Sequence, residues 1–443
     1  MIIAYKEHSQ FILILIVMYV LGVWAGPLIY VLFPIMVTLF GIKRRYFELF
    51  IITLWLLILS DYVPVENATH DDLQFAKDLK PLLPIFLLAF IFLSRDSFKP
   101  FPKVFIYFIP FFIIVTIALM YSTNVTIGLQ KNVSFILMYF VVPIYVLHLH
   151  KTMGESFWKA LMTFIIGMLT IGIILKFAVP EIGNLKSGRF KGVLGNPNGL
   201  GVFLNLTFIL WVLIREFKLA SFTKKENRLI LIVIFLSLIW SGSRNGLMSV
   251  LLFYMVYQLV KINWFIAIVA VFGLVAFNDQ IFEIVVSIVE FFGLQDYFRI
   301  DSIEEGSGRK IAWIFAWQQI QEYYFLGGGL GHDEQIMRAN YYWLARAGHQ
   351  GGVHNSYLSM WFDSGIIGLL AYFGGLLTIV FKSMKNSYLI LAFLVSFLFN
   401  ITYESWLVGS LNPFTIVLLI ILTIFVANLK GVNYQVVNEQ VKE

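Results

Sequence analysis

Fourteen apolar runs follow one another along this chain, and most are separated by too little polar sequence to form a soluble domain. They lie at roughly 10–23, 27–42, 46–60, 81–94, 103–121, 132–150, 156–178, 198–215, 228–241, 245–260, 263–277, 355–381, 387–402 and 412–429. A backbone that crosses lipid must satisfy its own N–H and C=O groups, which leaves helices or a closed barrel. Runs of this length fit helices; a spanning helix needs about 20 residues, within about 17–25. The shorter runs must therefore draw in flanking Tyr, Trp and small residues. Composition agrees: 59% of residues are hydrophobic and 13% charged, against about 25% charged in a soluble domain. The reading is an all-α polytopic membrane protein, a single membrane domain over 1–443, with about 14 transmembrane helices (12–14). The first run follows Lys6 and ends without an A-x-A-like site, so it is expected to be retained rather than removed as a signal peptide.

Charge placement orients the spans. With the N-terminus in the cytoplasm, one set of loops carries Lys43, Arg44 and Arg45, then Arg95, Lys99 and Lys103, then Lys151 and Lys159. The same side takes Arg215, Lys218, Lys224, Lys225 and Arg228, then Lys261, Lys382, Lys385 and Lys430. Such a bias marks the cytoplasmic face and puts both termini there. The net charge of +6 thus reports orientation, and nucleic acid is not expected as a partner. Reading 228–260 as one span would move Lys382, Lys385 and Lys430 outside, so Ser241–Gly246 is read as the turn of a hairpin. The opposite face receives the acidic segment Asp61–Lys80, read as a solvated connection. It also receives the large extracytoplasmic loop 278–354, with a short amphipathic helix whose apolar face would carry Trp313, Trp317, Ile320 and Tyr324. The absence of cysteine excludes disulfides, thiolate metal sites and a cysteine nucleophile.

The residues that ask for chemistry lie on that outer face. Gly188-Arg189-Phe190-Lys191-Gly192 precedes Gly195-Asn196-Pro197-Asn198-Gly199. The second group reads as a turn into a helix, but two cations beside a helix start also make a seat for an anion. Ser241-Gly242-Ser243-Arg244-Asn245-Gly246 places a guanidinium between two apolar runs. It either snorkels to the interface or holds a partner. Arg309 stands near the start of the amphipathic helix, where a cation is poorly placed for the helix dipole. Gly327-Gly328-Gly329-Leu330-Gly331 lacks the Lys-Ser/Thr of a P-loop. Tyr341-Tyr342-Trp343 could stack on sugar rings or anchor at an interface. His354, in Val353-His354-Asn355-Ser356, is either a helix-start hydrogen-bonding group or a proton acceptor near neutral pH. His332, Asp333, Glu334, His349 and His354 show no metal-ligand spacing, so no metal and no cofactor is expected.

Taken in order, Arg189…Gly-Asn-Pro-Asn-Gly, Ser-Gly-Ser-Arg244-Asn-Gly, Gly-Arg309 with Ile311 and Trp313, Leu-Gly-Gly-Gly-Leu-Gly and His354-Asn-Ser-Tyr-Leu resemble the O-antigen ligase and O-antigen polymerase superfamily. The likeness covers roughly 185–375. It implies a glycosyltransferase-C-like membrane fold in a bacterial cytoplasmic (inner) membrane. It also implies transfer of a glycan from undecaprenyl diphosphate, at the periplasmic side, to a hydroxyl acceptor. Arg244 and Arg309 match arginines that hold the diphosphate, and His354 matches the histidine that assists the acceptor. Arg189, Lys191, Asn196, Asn198 and Asn355 are grouped with the arginines as candidate contacts to the diphosphate or glycan. Guanidinium and ammonium groups can stabilise the departing diphosphate electrostatically, without a metal. Arg189, Arg244, Arg309 and His354 are expected to converge on one cavity open to the outer leaflet.

The expected partners are the lipid-linked glycan donor, a glycan or lipid A core acceptor, membrane lipid and a chain-length regulator. Joining of repeat units by a polymerase is the leading reading, for O-antigen, capsular or exopolysaccharide. An O-antigen ligase acting on lipid A core is the alternative. A lipid-linked oligosaccharide flippase is the rival from another class, although no internal repeat is visible and the cations gather at one face rather than at mid-membrane.

Overall fold

The computed structural model describes residues 9–62, 73–276, 309–349 and 351–430, with a few single positions between 283 and 293. Among the described residues it is helical throughout, without a strand. The helices are α1 (Ser9–Trp24), α2 (Ile29–Ile42), α3 (Tyr46–Asp61), α4 (Gln74–Leu79), α5 (Leu82–Leu93), α6 (Val104–Tyr107), α7 (Ile109–Ala118), α8 (Val125–Met153), α9 (Glu155–Ala178) and α10 (Pro180–Gly183). They continue as α11 (Pro197–Glu216), α12 (Lys224–Ser241), α13 (Arg244–Ile262), α14 (Trp264–Ala276), α15 (Arg309–Ile320), α16 (His332–Ala339), α17 (Tyr341–Arg346), α18 (Ser356–Met384), α19 (Leu389–Tyr403) and α20 (Pro413–Val426). Each apolar run coincides with a helix or, at 103–121, with the consecutive pieces α6 and α7. Among the described residues, five helices, α8, α9, α11, α13 and α18, are long and apolar enough to cross a bilayer, and six shorter apolar helices accompany them. Most of the expected extracytoplasmic loop between 277 and 308 lies outside the described residues.

Local signals set the helix ends. Asn196 and Asn412 cap α11 and α20, each followed by Pro at the first helical position, where the missing N–H costs nothing. Thr223 and Glu226 form a reciprocal capping box at α12, satisfying two orphan donors. The core follows from burial. Helix α20 is buried from Pro413 to Phe425 and is packed by α11, α8 and α3, so the last apolar run is the bundle's central post.

Side-chain bonds give the direction of the chain around the turn at 242. Trp211 Nε1 donates to Asn227 Oδ1 (3.2 Å), joining the end of α11 to the start of α12. Phe190 N–H reaches Trp240 O (3.1 Å), so α12 ends back beside the loop that precedes α11. Gly246 packs against Gly201 near the start of α11, and Tyr257 and Lys261 reach Glu216 at its end. Helices α11 and α13 are therefore parallel and in direct contact, with α12, which lies between them in the chain, antiparallel to both, the chain reversing at Gly242 in the left-handed region (φ 56°). Basic groups gather at the other end of the bundle, where Lys151 bonds Lys99 O and Lys261 bonds Glu216.

A helix forms at Arg309–Ile320, but its buried side is offset from the expected stripe. Ala312, Phe315, Ala316 and Ile320 face inward, while Trp317 is largely exposed and Tyr324 lies beyond the helix end. Both sets satisfy helical spacing; the small alanines win because they let α15 approach α18 closely.

Helix α18 is broken at Gly365 (φ 66°, ψ 177°). A break inside an apolar helix exposes backbone groups that lipid cannot satisfy. The glycine loop repairs it. Gly328 N–H donates to Phe362 O (3.0 Å) and Gly329 N–H to Asp363 O (2.9 Å); Ile366 and Ile367 N–H donate to Tyr324 O and Phe325 O (2.9 and 3.3 Å). Backbones this close exclude side chains: a Cβ on Gly327 (φ +73°) would strike the Asp363 carbonyl, and one on Gly365 would strike the Phe325 carbonyl. Asp363, fully buried, then accepts Gly331 N–H (2.7 Å) and Asp333 N–H (2.9 Å), capping α16 from a neighbouring helix. Gly365→Ala should destabilise the protein by about 1–3 kcal/mol through overpacking, with the strain of a positive φ added. Gly374→Ala, with open space around it, should leave stability unchanged or raise it by up to about 1 kcal/mol. Thermal unfolding in detergent reads both, and equal midpoints would remove the clasp's role.

Candidate functional site

The loop between α10 and α11 delivers Arg189 to the end of α12. Its guanidinium donates to Ser241 O (Nε, 3.0 Å), Gly242 O (Nη2, 3.3 Å) and Asn198 Oδ1 (Nη2, 3.0 Å). The last carbonyls of a helix lack intrahelical donors and carry the negative end of its dipole, so a cation is well placed there. Lys191 is buried, with Nζ 4.3 Å from the centre of the Tyr62 ring. Burial holds its ammonium below the ordinary lysine value. Asp61 Oδ2 accepts Gly195 N–H (3.0 Å), fixing the same loop to the end of α3. The segment read as a solvated connection is therefore partly packed, with Phe75, Ala76 and Leu79 of α4 buried; residues 63–72 lie outside the described residues.

Arg244 is the first residue of α13 and is partly buried. Ser243 caps that helix, its Oγ accepting Gly246 N–H (3.3 Å). A polar ladder then locks α13 to α19: Asn245 Nδ2 donates to Asn400 O (3.0 Å), Asn400 Nδ2 to Ser249 Oγ (3.1 Å) and Ser396 Oγ to Ser249 O (2.8 Å). The start of α13 therefore lies against the end of α19. One turn past Asn400 stands Glu404.

Glu404 is the residue that sequence reasoning missed. Its Oε1 accepts from Arg309 Nη2 (2.7 Å), and its Oε2 lies 3.4 Å from His354 Nδ1. One nearly buried carboxylate thus joins two expected site residues 45 positions apart (354 − 309). Arg309 also lies 5.9 Å from the Tyr403 ring centre, and its placement at a helix start is compensated by this acid. The Glu404 carbonyl accepts from Ser356 Oγ (2.6 Å), tying the short link between α19 and α20 to the start of α18. The available signal was a lone acid, Tyr403-Glu404-Ser405, between two apolar runs on the face already carrying the cations.

His354 precedes the cap of α18 and holds a positive φ (52°), a conformation uncommon outside glycine. His349 Nε2 lies 2.9 Å from Gly352 O, and the two imidazole rings are 5.8 Å apart. Asn355 Oδ1 caps α18 through Leu358 N–H (3.0 Å), and Asn196 Oδ1 caps α11 through Gly199 N–H (2.8 Å). Those two amide oxygens are thereby committed to backbone.

The sequence-derived residues thus assemble as two groups, Arg189 with Asn198 at the Ser241–Gly242 turn beside Arg244, and Arg309 with His354 through Glu404. The α13–α19 ladder sets both groups at one end of the bundle. Lys191 seats the loop on the Tyr62 ring. Among the described residues, no three His, Asp or Glu side chains come together as a metal-holding group.

The described residues thus form an all-helical bundle that gathers arginines, a histidine and a bridging carboxylate at one end. Residues 229–373 match the family model described as O-antigen ligase, a match that supports the resemblance to the O-antigen ligase and polymerase superfamily. The match holds Arg244, Arg309 and His354; Arg189 and Glu404 lie outside it. No curated protein matches the chain.

Burial lowers the His349 imidazole below its ordinary value; Gly352 O opposes this, and the nearby His354 and Arg309 add to it. A histidine whose folded pKa is depressed binds protons better when unfolded. Its contribution is full above about pH 6.5, the unperturbed value, and is lost as pH falls through that value toward the folded one. Hydrogen exchange across 341–354 should therefore speed up between pH 7.5 and 5.5. His349→Gln, which can still donate to Gly352 O, should flatten that dependence; an equally steep slope in the variant would exonerate His349.

Proposed function

We propose that this protein polymerises lipid-linked glycan repeat units at the outer face of the bacterial cytoplasmic membrane, taking the growing glycan from undecaprenyl diphosphate. The superfamily gives the coarser statement, an enzyme of glycan ligation or polymerisation. The observation that carries the glycosyl-transfer chemistry, for polymerase and ligase alike, is Glu404, shared between Arg309 and His354. In the tautomer that donates from Nδ1 to Glu404, His354 keeps Nε2 bare as an acceptor. No side chain stands against Nε2 from Gly351, where even a Cβ would lie only 2.8 Å away. Transfer forms a bond from the acceptor oxygen to the anomeric carbon and breaks the bond from that carbon to the phosphate oxygen. Nε2 takes the hydroxyl proton, and the diphosphate leaves as an anion. Arg309 and Arg244, with Arg189 behind the turn that bears Arg244, supply positive charge for it in a partly water-excluded site. The donor brings its own leaving group, so no nucleotide is needed.

The ligase reading keeps its place because the matched family model is described as O-antigen ligase; it requires lipid A core as acceptor in the same chemistry. A deletion strain separates the two: loss of a polymerase leaves single repeat units on the core, and loss of a ligase leaves polymer off it. The flippase reading draws on mid-membrane acids. Asp363 is the nearest such group, but both its oxygens are occupied by backbone N–H groups near the site end.

His354→Asn should lower turnover about 10²-fold or more, within the range of acid–base groups, with donor affinity little changed. Glu404→Gln should lower turnover by less, because the imidazole loses the carboxylate that orients it. Gln is preferred to Ala, since stripping a buried pair of one partner costs about 3–5 kcal/mol. Assays with purified protein, lipid-linked donor and acceptor, chelator present, read these outcomes. An active His354→Asn would remove the base, and unchanged turnover in Glu404→Gln would reduce Glu404 to packing.

Arg244→Ala should abolish transfer while the protein still inserts, and Arg244→Lys should recover part of it. A guanidinium grips diphosphate oxygens with two parallel bonds, whereas an ammonium acts as a point charge. Near-normal glycan from Arg244→Ala at matched protein level would make it a snorkelling residue.

A further inference from the structure

Helices α15–α17 pack beside α18 and not above it. Phe362, in the second turn of α18, shares an apolar cluster with Ala312, Phe315 and Ile320 of α15, Met337 of α16 and Leu344 of α17. The bonds from Ile366 and Ile367 to Tyr324 O and Phe325 O carry the contact a further turn along. At 1.5 Å per residue, the segment reaches about 15 Å along an apolar helix. That depth is beyond what a loop in open water requires.

Its outward side is apolar at the same level. Tyr342 is 81% exposed, Phe325 65% and Trp343 56%, with Trp317, Ile314 and Tyr341 also exposed. Phe325 lies beside Ile367, where the exposed apolar face of α18 begins and continues through Leu370, Leu377 and Phe381. The patch on α15–α17 is thus continuous with a surface that lipid covers. Two exposed arginines stand among these aromatics. Arg346 makes no ion pair among the described residues, and Arg338 has only a 3.8 Å contact with Glu334. Tyr and Trp concentrate where lipid meets water, and arginines there lay their stems on apolar surface while the heads reach phosphate.

We propose that the outward face of α15–α17 is seated in the phospholipid headgroup layer, with Phe325, Tyr342 and Trp343 at the acyl boundary and Arg338 and Arg346 on lipid phosphates. This goes beyond the glycan-transfer reading and does not rest on it. The bound lipid surface holds the segment that carries Arg309 at headgroup depth.

Because the chain has no cysteine, Tyr342→Cys can carry a single nitroxide in the full-length protein. The labelled protein is placed in vesicles of phosphatidylethanolamine and phosphatidylglycerol, with Lys224→Cys at the other end of the bundle as the water-exposed reference. The Tyr342→Cys label should collide with oxygen in preference to a water-soluble nickel chelate, and with the chelate several-fold less than the reference does. Adding Arg338→Gln and Arg346→Gln should raise chelate collisions, and inorganic phosphate should leave them unchanged. Tyr341→Cys repeats the test should Tyr342→Cys fail to fold. Chelate collisions equal to the reference would overturn the proposal. So would a water-exposed label that only added oligosaccharide protects, which would make the aromatics a sugar platform.

Discussion

A helix that breaks among apolar side chains must find new partners for the backbone groups it frees, because hydrocarbon offers none. At Gly365 the partners come from a loop more than thirty residues earlier, and the exchange runs in both directions: two loop N–H groups fill helix carbonyls, and two helix N–H groups fill loop carbonyls. The glycines are therefore a matter of backbone distance, since any side chain at 327 or 365 would occupy the space the other strand of backbone needs. This clasp decides where Arg309 and His354 can be. The first lies in the helix leading into the loop, the second a short way before the break, and both answer to the register fixed between them.

The electrostatics follow helix ends. Arg189 sits where α12 finishes, so its charge meets free carbonyls. Arg244 and Arg309 stand at helix starts, where the dipole opposes a cation. For Arg309 the opposition is met by Glu404, which comes from the end of another helix. The same carboxylate faces His354, so one group joins the arginine and the imidazole. An anion arriving at Arg309 would compete with Glu404 for the guanidinium and leave the carboxylate freer to serve the histidine.

Packing gives the site its rigidity. The α13–α19 ladder of Asn245, Ser249, Ser396 and Asn400 is polar and buried, and in an apolar surrounding each of its bonds excludes alternative registers of the two helices. Small residues at Gly201 and Gly246 let α11 and α13 touch backbone to backbone, a common device where helices meet in lipid. Together they hold the Arg244 end of one helix against the Glu404 end of another.

The sequence by itself determined the helices. Apolar runs too long and too close for a soluble fold must become helices, and caps such as Asn196, Thr223 and Asn355 mark where they begin. It also marked Arg189, Arg244, Arg309 and His354 as residues out of place in apolar surroundings, and the turn at Ser241–Gly246. Only tertiary structure decided what these residues bond to. Glu404 is one acid among 26 Asp and Glu residues, and nothing in its neighbours announces a partner 95 positions away. The glycine run had no local meaning until α18 broke against it, and the helix at 309–320 could turn either of two stripes inward until α18 selected the smaller one. Periodicity and charge bias are properties of neighbouring residues; a bridging carboxylate and a backbone clasp are properties of distances between segments, which a linear pattern does not contain.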